Sequence, residues 1–281
     1  MNVAAALIVA RELLERSGVA DPHREAASLT MFVLNKPQAF LIAHPEYELE
    51  PNEQEFFETS LRRRAAREPF QYIVGHQEFY GLDFEVSPAV LIPRPETEIL
   101  VEDAIETLAG IREPHFCEIG VGSGCISISI LHNVKNSKAV GIDISGKALS
   151  VTKHNATKHQ VDDRVHVVRG DVFGDVTDRF DVIVSNPPYI PDANVAELQP
   201  EVADHEPHNA LAGGPDGLDM VRRIILDSPE HLNPRGVLFI EIGFGQSDAV
   251  ARLLAPSIWR SPVFLHDLQG VPRVLKVAVR S

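Results

Sequence analysis

The amino-acid sequence predicts an α/β protein in which a doubly wound, mostly parallel sheet follows a small helical domain. From about residue 98 onward, apolar runs typical of buried strands alternate with segments of helical periodicity. A glycine-rich turn at residues 118–124 separates the first of these strands from the helix after it. Because strands that alternate with helices form parallel βαβ units, we predict the sheet within residues 93–281.

Residues 1–75 are predicted to form the helical domain. Apolar side chains recur at helical spacing from Ala6 to Leu14, and Asp21-Pro22 is typical of the start of a second helix. A third helix is expected to end near the basic run at residues 62–64. We interpret that run as a solvated helix end that complements the helix dipole, with a patch for docking a partner as the alternative.

The next segment, residues 76–92, is predicted to form a β-hairpin that links the two domains, because Gly81 separates two β-prone stretches. Helices are predicted after it at 98–108, 126–131 and 148–159. Strands are predicted at 115–120, 138–145, 164–171, 179–190, 236–243, 263–268 and 273–279. The last two strands are close in sequence, so we expect an antiparallel pair at the edge of the sheet.

The composition is that of an ordinary globular protein, with 44 % hydrophobic and 23 % charged residues among 281. That composition excludes a disordered tail, a collagen-like repeat and a small disulfide-rich protein. The formal net charge of −14 disfavours broad binding to phosphate backbones, so no direct nucleic-acid partner is expected.

The location of the protein is predicted from what the chain lacks. No window of about 18 apolar residues is present, and no basic region precedes the apolar run near Met1, so neither a membrane span nor a signal peptide is expected. The two cysteines, Cys117 and Cys125, cannot build a disulfide framework, which favours a reducing cytoplasm. Without an HExxH or CxxC motif, no metal site is expected.

The glycine-rich turn is the first candidate binding feature. Its residues, Glu118-Ile119-Gly120-Val121-Gly122-Ser123-Gly124, follow the first strand of the predicted sheet. Glycines there allow a tight turn and close approach of the backbone to a ligand, at the sheet edge where α/β proteins bind ligands. Cys125 stands where the dinucleotide fingerprint needs Gly or Ala, and a purely structural turn is the alternative.

Two acidic residues extend this candidate site. Asp143 ends the second strand and is placed to accept hydrogen bonds from ribose hydroxyls. Asp171 ends the third strand and is suited to an adenine amino group, with the backbone N–H and apolar side chain of Val172 beside it. Each acid is also a common turn or helix-cap residue. Because the glycine turn contains no Lys or Arg, S-adenosylmethionine suits this pocket better than ATP or NAD.

The segment Ser185-Asn186-Pro187-Pro188-Tyr189 follows the fourth strand and carries the candidate chemistry. Two consecutive prolines fix an extended backbone and leave the Pro187 carbonyl without a ladder partner. Together with the side-chain oxygen of Asn186, that carbonyl offers two acceptors, which suit one planar NH₂ group. A delocalised amide or aryl amine nitrogen is a poor nucleophile, so positioning would supply most of its rate. A rigid turn with a buried Tyr189 is the alternative.

The motifs EIGVGSG, GIDIS, GDVF and VSNPPYI resemble those of class I S-adenosylmethionine-dependent methyltransferases that act on planar nitrogen. LIPRPETE at residues 91–98 and REPFQYIVGHQEFYG at residues 67–81 are narrower. Together these motifs resemble the peptide-chain release factor glutamine methyltransferases, the PrmC/HemK family, over nearly the whole chain. The resemblance implies methyl transfer from S-adenosylmethionine to the side-chain amide N5 of the GGQ glutamine in bacterial class I release factors.

The resemblance also implies roles for individual residues. The cofactor-binding residues would be Glu118, Gly120, Val121, Gly122, Ser123, Gly124, Asp143, Asp171, Val172 and Asn186. The substrate-binding residues would be Arg94, Asn186, Pro187, Pro188 and Tyr189, of which Asn186, Pro187 and Tyr189 would be catalytic. For Arg94, an ion pair with Glu96 or Glu98 is the alternative. Residues 1–75 would dock the release factor.

Two other functions remain as alternatives. A methyltransferase for exocyclic amines of nucleic acids, adenine N6 or guanine N2, would also use an NPPY motif, but it needs a basic groove. A non-catalytic docking protein would be expected to have lost parts of the pocket, whereas the glycine turn, both aspartates and the NPPY motif are intact.

Overall fold

The computed structural model describes residues 1–280 and divides into two compact units. The first unit comprises Met1–Gly75 together with Gln199–His205. The second unit comprises His76–Leu198 and the residues from Glu206 onward. The segment Gln199–His205 therefore belongs to the helical unit although it is distant in sequence, which the sequence patterns did not indicate.

The first unit is helical, as the periodicity predicted. Its helices before residue 75 are α1 Val3–Arg16, α2 Pro22–Leu34, α3 Gln38–Ala43, α4 Pro51–Ala65 and α5 Phe70–Val74. The side chain of Asn2 begins α1 by accepting a hydrogen bond from the backbone N–H of Ala5 at 2.9 Å. Helices α3 and α5 were not predicted, because six and five residues are too few to display a helical repeat.

The basic run at the end of α4 is not fully exposed to solvent, in contrast to the prediction of a solvated helix end. Arg64 is buried and donates to Glu25 at 2.8 Å and to Glu201 at 3.0 Å. Arg67 also binds Glu201, with its Nε 2.7 Å from the carboxylate. These hydrogen bonds hold the pKa of Glu201 down to about 2 despite its partial burial. The interpretation of a solvated helix end is therefore wrong for Arg64, which ties Gln199–His205 to the helical unit.

The second unit begins with the predicted hairpin and continues into an α/β sheet. The hairpin strands, β1 His76–Phe79 and β2 Leu82–Glu85, pair antiparallel around Tyr80-Gly81. The remaining strands are β3 His115–Ile119, β4 Lys138–Asp143, β5 Val165–Arg169, β6 Phe180–Ser185, β7 Leu232–Glu241, β8 Val263–His266 and β9 Pro272–Ala278. The helices after the hairpin are α6 Glu98–Ala109, α7 Cys125–Asn133, α8 Gly146–Lys158, α9 Pro200–Ala203 (in the first unit), α10 Asp219–His231 and α11 Ser247–Leu253.

The seven strands form one sheet in the order β5-β4-β3-β6-β7-β9-β8. Strands β5, β4, β3, β6 and β7 are parallel, and β9 pairs antiparallel with both β7 and β8. The predicted doubly wound sheet with an antiparallel edge is thus confirmed. Its strand order reverses between β3 and β6, which places a ligand-binding crevice at the carboxyl ends of these strands.

Strand β7 starts four residues earlier than predicted. Leu232 pairs with Phe180, but the next pair is Val237 with Val182, so residues 233–236 bulge out of the ladder. Pro234 lies in this bulge, where its missing N–H removes no ladder hydrogen bond. Helix α11, which follows β7, was not predicted.

Apolar side chains alternate along the strands and build a core on each face of the sheet. Ile183 packs with α10 and α11 residues on one face, whereas its neighbours Val182 and Val184 pack with α6 and α7 residues on the other. This burial on both faces explains the nearly continuous apolar strands seen in the sequence. Within residues 1–280, no helix combines the length and apolar character needed to cross a membrane.

Candidate active site

A cavity of about 340 Å³ lies in the second unit at the carboxyl ends of β3, β4 and β6. The predicted site residues that line it are Arg94, Glu118, Gly120, Val121, Gly122, Ser123, Asp143, Asp171, Val172, Asn186, Pro187 and Pro188. Gly124 and Tyr189 are not among its lining residues. The structure therefore brings twelve of the fourteen predicted residues around one cavity.

The glycine turn is held against the end of β4. The backbone N–H groups of Gly120 and Val121 both donate to the carbonyl of Ile142, at 2.8 and 2.9 Å. The carboxylate of Asp143 accepts from the N–H of Gly122 at 3.0 Å and from the N–H of Ser145 at 2.8 Å. Asp143 is thus fixed beside the turn by both oxygens, and each oxygen keeps a lone pair for a further donor.

Gly124 has a packing role in this turn. Its φ of +81° lies in the left-handed region, and a Cβ there would come within 2.9 Å of side-chain atoms of Ile128 and Thr152. A side chain at this position would therefore clash with α7 and α8. Gly124 lets the first turn of α7 approach α8 closely, which shapes the wall behind the cavity rather than its surface.

The turn after β5 carries backbone strain at the cavity. Val172 is buried and adopts a φ of +56°, which is unfavourable for a β-branched residue. The preceding Asp171 is exposed and paired with Arg223 of α10. Arg223 also lines the cavity, but no motif in the sequence pointed to it. Both residues of this turn, Asp171 and Val172, line the cavity.

Glu118 is a buried acid at the end of β3. Its Oε2 accepts hydrogen bonds from the backbone N–H of Ser127, at 2.8 Å, and from the Ser127 hydroxyl. Burial raises the pKa of Glu118 to about 8, although the hydrogen bonds from Ser127 oppose that shift. Glu118 is therefore mostly neutral at pH 7 and would ionise readily beside a cation.

The amide of Asn186 follows directly after β6. Its Nδ2 donates to the Thr97 hydroxyl at 3.1 Å. No described residue donates to the Asn186 Oδ1 or to the Pro187 carbonyl, and both residues line the cavity. Two acceptor groups without a donor among the described residues thus belong to consecutive residues after β6, and both residues line the cavity.

Tyr189 is held away from the cavity by its neighbours. Its hydroxyl donates to Oε1 of Glu241 at 3.2 Å, and its carbonyl accepts from Nε2 of Gln246 at 2.9 Å. Burial and the facing Glu241 carboxylate raise the pKa of Tyr189 well above its usual range. Thr97 and Glu241 were not identified from sequence, although Thr97 lies inside the motif LIPRPETE and Glu241 inside the strand predicted at 236–243.

Arg94 does not form the ion pair expected from its sequence neighbours. It donates to Glu206 at 2.5 Å, a residue 112 positions further along the chain. Glu206 is buried, and burial raises its pKa while Arg94 lowers it. The alternative of a pair with Glu96 or Glu98 is therefore wrong, and Arg94 reaches the cavity wall held by Glu206.

Among residues 1–280, no group of three or more His, Cys, Asp or Glu side chains could hold a metal ion.

Comparisons with known proteins show which family the chain resembles over nearly its whole length. A family model described as the PrmC N-terminal domain matches residues 5–75, and one described as the Methyltransferase small domain matches residues 96–203. The chain is 40 % identical over 269 residues to the release factor glutamine methyltransferase of Geobacter sulfurreducens, covering 94 % of this chain and 92 % of that protein. It is 39 % identical over 277 residues to the protein of the same name from Koribacter versatilis, covering 98 % of each.

A solved structure shows the same fold. A T. thermophilus 16S rRNA methyltransferase in complex with AdoMet and guanosine has a TM-score of 0.52 at 17 % identity, covering 73 % of this chain and 50 % of that chain. At that identity the likeness concerns the fold alone.

The strand order, the glycine turn and the matched methyltransferase domain define a class I methyltransferase. At 39–40 % identity over nearly its whole length, the chain belongs to the release factor glutamine methyltransferase family. The resemblance inferred from the motifs is confirmed. The alternative of a nucleic-acid amine methyltransferase is not favoured by these relatives.

Proposed function

We propose that this protein transfers a methyl group from S-adenosylmethionine to the side-chain amide N5 of the GGQ glutamine in bacterial class I peptide-chain release factors. The observation that carries the proposal is the pair of free acceptors, Asn186 Oδ1 and the Pro187 carbonyl, at the end of β6. A primary amide has two N–H donors on one nitrogen, which matches two adjacent acceptors. The full-length relatives support this acceptor.

The residues around the cavity suit S-adenosylmethionine. Asp143 keeps lone pairs for ribose hydroxyls, and Asp171 with Val172 borders the part of the cavity suited to adenine. Glu118 beside the glycine turn would hold the cationic methionine part, because a neighbouring cation favours its ionised form. When bound, the cofactor supplies an electrophilic methyl group on a sulfonium.

The chain's own residues orient the acceptor amide. Asn186 and Pro187 would hold both N–H groups, which favours the pyramidal nitrogen needed for attack and sets its lone pair toward the methyl group. Held in this way, the amide nitrogen would take up the methyl group that the cofactor supplies, the carbon–sulfur electron pair would stay with the departing thioether, and one amide proton would leave to solvent. Pro188 stiffens this segment, and Arg94 lies on the wall nearby, held by Glu206.

The helical domain, residues 1–75, is proposed to dock the release factor. Residues 76–92 would link it to the methyltransferase domain at residues 93–281. Because its substrate acts in translation, we place the protein in the cytoplasm.

A methyl-transfer assay tests the proposal. The purified protein is mixed with labelled S-adenosylmethionine and an unmethylated bacterial release factor, and the products are analysed by peptide mass spectrometry. We expect one added methyl group on the GGQ glutamine and none on a matched release factor whose GGQ glutamine is replaced by alanine. Tight cofactor binding without transfer to the release factor would contradict the acceptor assignment.

A further inference from the structure

A buried hydrogen-bonded chain supports the acceptor end of β6. Asn186 Nδ2 donates to the Thr97 hydroxyl at 3.1 Å, and that hydroxyl donates to Oε2 of Glu241 at 2.6 Å. The other carboxylate oxygen, Oε1, accepts from the Tyr189 hydroxyl at 3.2 Å. Thr97 and Glu241 are each only 2 % exposed, so water does not compete for these bonds.

The sheet register explains why Glu241 reaches this chain. Ser185, the last residue of β6, pairs with Ile240 of the parallel neighbour β7. Glu241 is the next residue along β7, as Asn186 is the next residue after β6. The Glu241 carboxylate therefore lies beside the NPPY segment. It binds Tyr189, the last residue of the motif, directly, and it binds Asn186, the first residue, through Thr97.

The direction of these hydrogen bonds determines which end of the Asn186 amide faces outward. A hydroxyl has one hydrogen, and Thr97 uses it on the Glu241 carboxylate. Thr97 can then only accept from Asn186, so Asn186 must turn its NH₂ group inward. That arrangement leaves Oδ1 of Asn186 as the atom available to an incoming N–H donor.

We propose that Glu241 is a positioning residue for methyl transfer, acting through Thr97 to keep the Asn186 oxygen facing the acceptor and through Tyr189 to hold the far end of the motif. This inference rests on the proposed function, since it assumes that the group to be methylated carries N–H hydrogens that bind the Asn186 oxygen. Glu241 does not line the cavity, so it would act through Thr97 and Tyr189 and not on a bound ligand.

The ionisation of Glu241 provides a signature of this role. Burial raises the pKa of Glu241 to about 7, and the hydrogen bonds from Thr97 and Tyr189 oppose the shift. The charged groups that face it are Glu96, which favours protonation, and Arg273 of β9, which opposes it and is itself paired with Asp267 at 2.8 Å. A Glu241 protonated on Oε2 donates to the Thr97 hydroxyl, which frees the Thr97 hydrogen for Asn186 and favours the reversed amide. Turnover should therefore fall as the pH drops below about 7.

Steady-state kinetics of the full-length protein with a release factor and S-adenosylmethionine test this role. Thr97→Val removes the hydroxyl but keeps the shape, and we expect it to lower kcat about 10- to 100-fold. The dissociation constant of S-adenosylmethionine, measured by calorimetry, should stay within about twofold. The conservative variant Thr97→Ser should recover most of the turnover. Equal losses in Thr97→Val and Thr97→Ser would overturn the proposal, because packing rather than the hydroxyl would then matter.

The variant Glu241→Gln tests the carboxylate itself. Its side-chain amide both donates and accepts, so we expect a lower kcat. With S-adenosylmethionine at saturating concentration at every pH, this kcat should show no fall with an inflection near pH 7. An unchanged pH profile in Glu241→Gln would overturn the proposal.

A second measurement uses the protein alone, without a release factor as methyl acceptor. In the unmodified protein, nuclear magnetic resonance should show a contact between the Asn186 side-chain NH₂ and the Thr97 methyl group at pH 8 that weakens at pH 6. Its absence at pH 8 overturns the positioning role even where methyl transfer is normal. If the contact is present and the release factor is not methylated, the positioning role stands and the proposed substrate fails.

Discussion

The carboxylate of Asp171 is held by the guanidinium of Arg223 through two parallel hydrogen bonds, of 3.0 and 2.9 Å. About half of each side chain is exposed, so this pair adds only about 0–1 kcal/mol to folding stability. Both residues line the cavity. The ion pair therefore acts on the orientation of the Asp171 carboxylate rather than on the stability of the fold.

This orientation predicts graded effects on cofactor affinity. Asp171→Ala removes the acceptor proposed for the adenine amino group, and we expect S-adenosylmethionine to bind about 10-fold more weakly. Arg223→Ala leaves the carboxylate but frees it to rotate, so a smaller loss of about threefold is expected. Isothermal titration calorimetry measures both, with Arg222→Ala, the adjacent exposed arginine, as control. A stronger loss in Arg223→Ala than in Asp171→Ala would contradict this ordering.

Removing the Asn186 amide should affect turnover far more than binding. Asn186→Ala deletes an acceptor proposed to be used most strongly in the transition state, so we expect kcat to fall by about several hundred-fold. The dissociation constant of S-adenosylmethionine should change little. Single-turnover methyl transfer and calorimetry separate the two effects, and the exposed Asn194→Ala provides a matched control. Near-normal turnover in Asn186→Ala would refute the acceptor assignment.

Most of the second unit was predictable because its signals are local. Strands β3, β4 and β6 are mostly apolar runs followed by turn residues, and buried parallel strands have that pattern. Elements whose signal is not local were missed. Helix α5 has five residues, and the early start of β7 depends on the pairing of Leu232 with Phe180, which only the tertiary fold creates.

In the candidate site, too, some residues could be predicted from local motifs and others could not. Residues that would touch a ligand lie at strand ends within recognisable motifs, as Asp143 and Asn186 do. Residues that hold them come from distant segments, as Thr97 and Glu241 are 144 positions apart and Arg94 and Glu206 are 112 apart. No spacing in the sequence indicates such pairs. For Arg94, the sequence suggested Glu96 or Glu98 as the ion-pair partner, whereas in the fold the partner is the buried Glu206.

Cofactor binding is expected to release a proton near neutral pH. Burial raises the pKa of Glu118 to about 8, so in the protein without cofactor the Glu118 carboxyl is mostly protonated at pH 7. Pairing with the cationic methionine part favours the carboxylate and lowers that pKa, so protonation opposes binding and affinity should rise from pH 6 to pH 7.5. Calorimetry at pH 7 in two buffers with different heats of protonation counts the released protons.

Variants assign that proton to its source. Glu118→Gln should abolish most of the release and weaken binding about 10-fold. Glu113→Gln, at an exposed position just before β3, should change neither quantity. Proton release that persists in Glu118→Gln would assign it to another group and reject the role of Glu118 in binding the cationic part.

The ion pairs of Glu201 should make the helical unit sensitive to acid. The pKa of Glu201 in the folded protein is about 2, below the ordinary value of 4.5, because Arg67 and Arg64 stabilise the charged form. The unfolded chain therefore binds more protons between these values, and the stabilisation present at pH 7 is lost as the pH falls from about 4.5 toward 2. Glu201→Gln leaves the buried Arg64 with one carboxylate fewer, so we expect a loss of about 3 kcal/mol at pH 7. Urea unfolding at pH 7 and at pH 3 should show the gap between the two proteins narrowing in acid, whereas exposed Glu197→Gln should track the unmodified protein. A gap that stays constant with pH would show that Glu201 acts through packing and not through its charge.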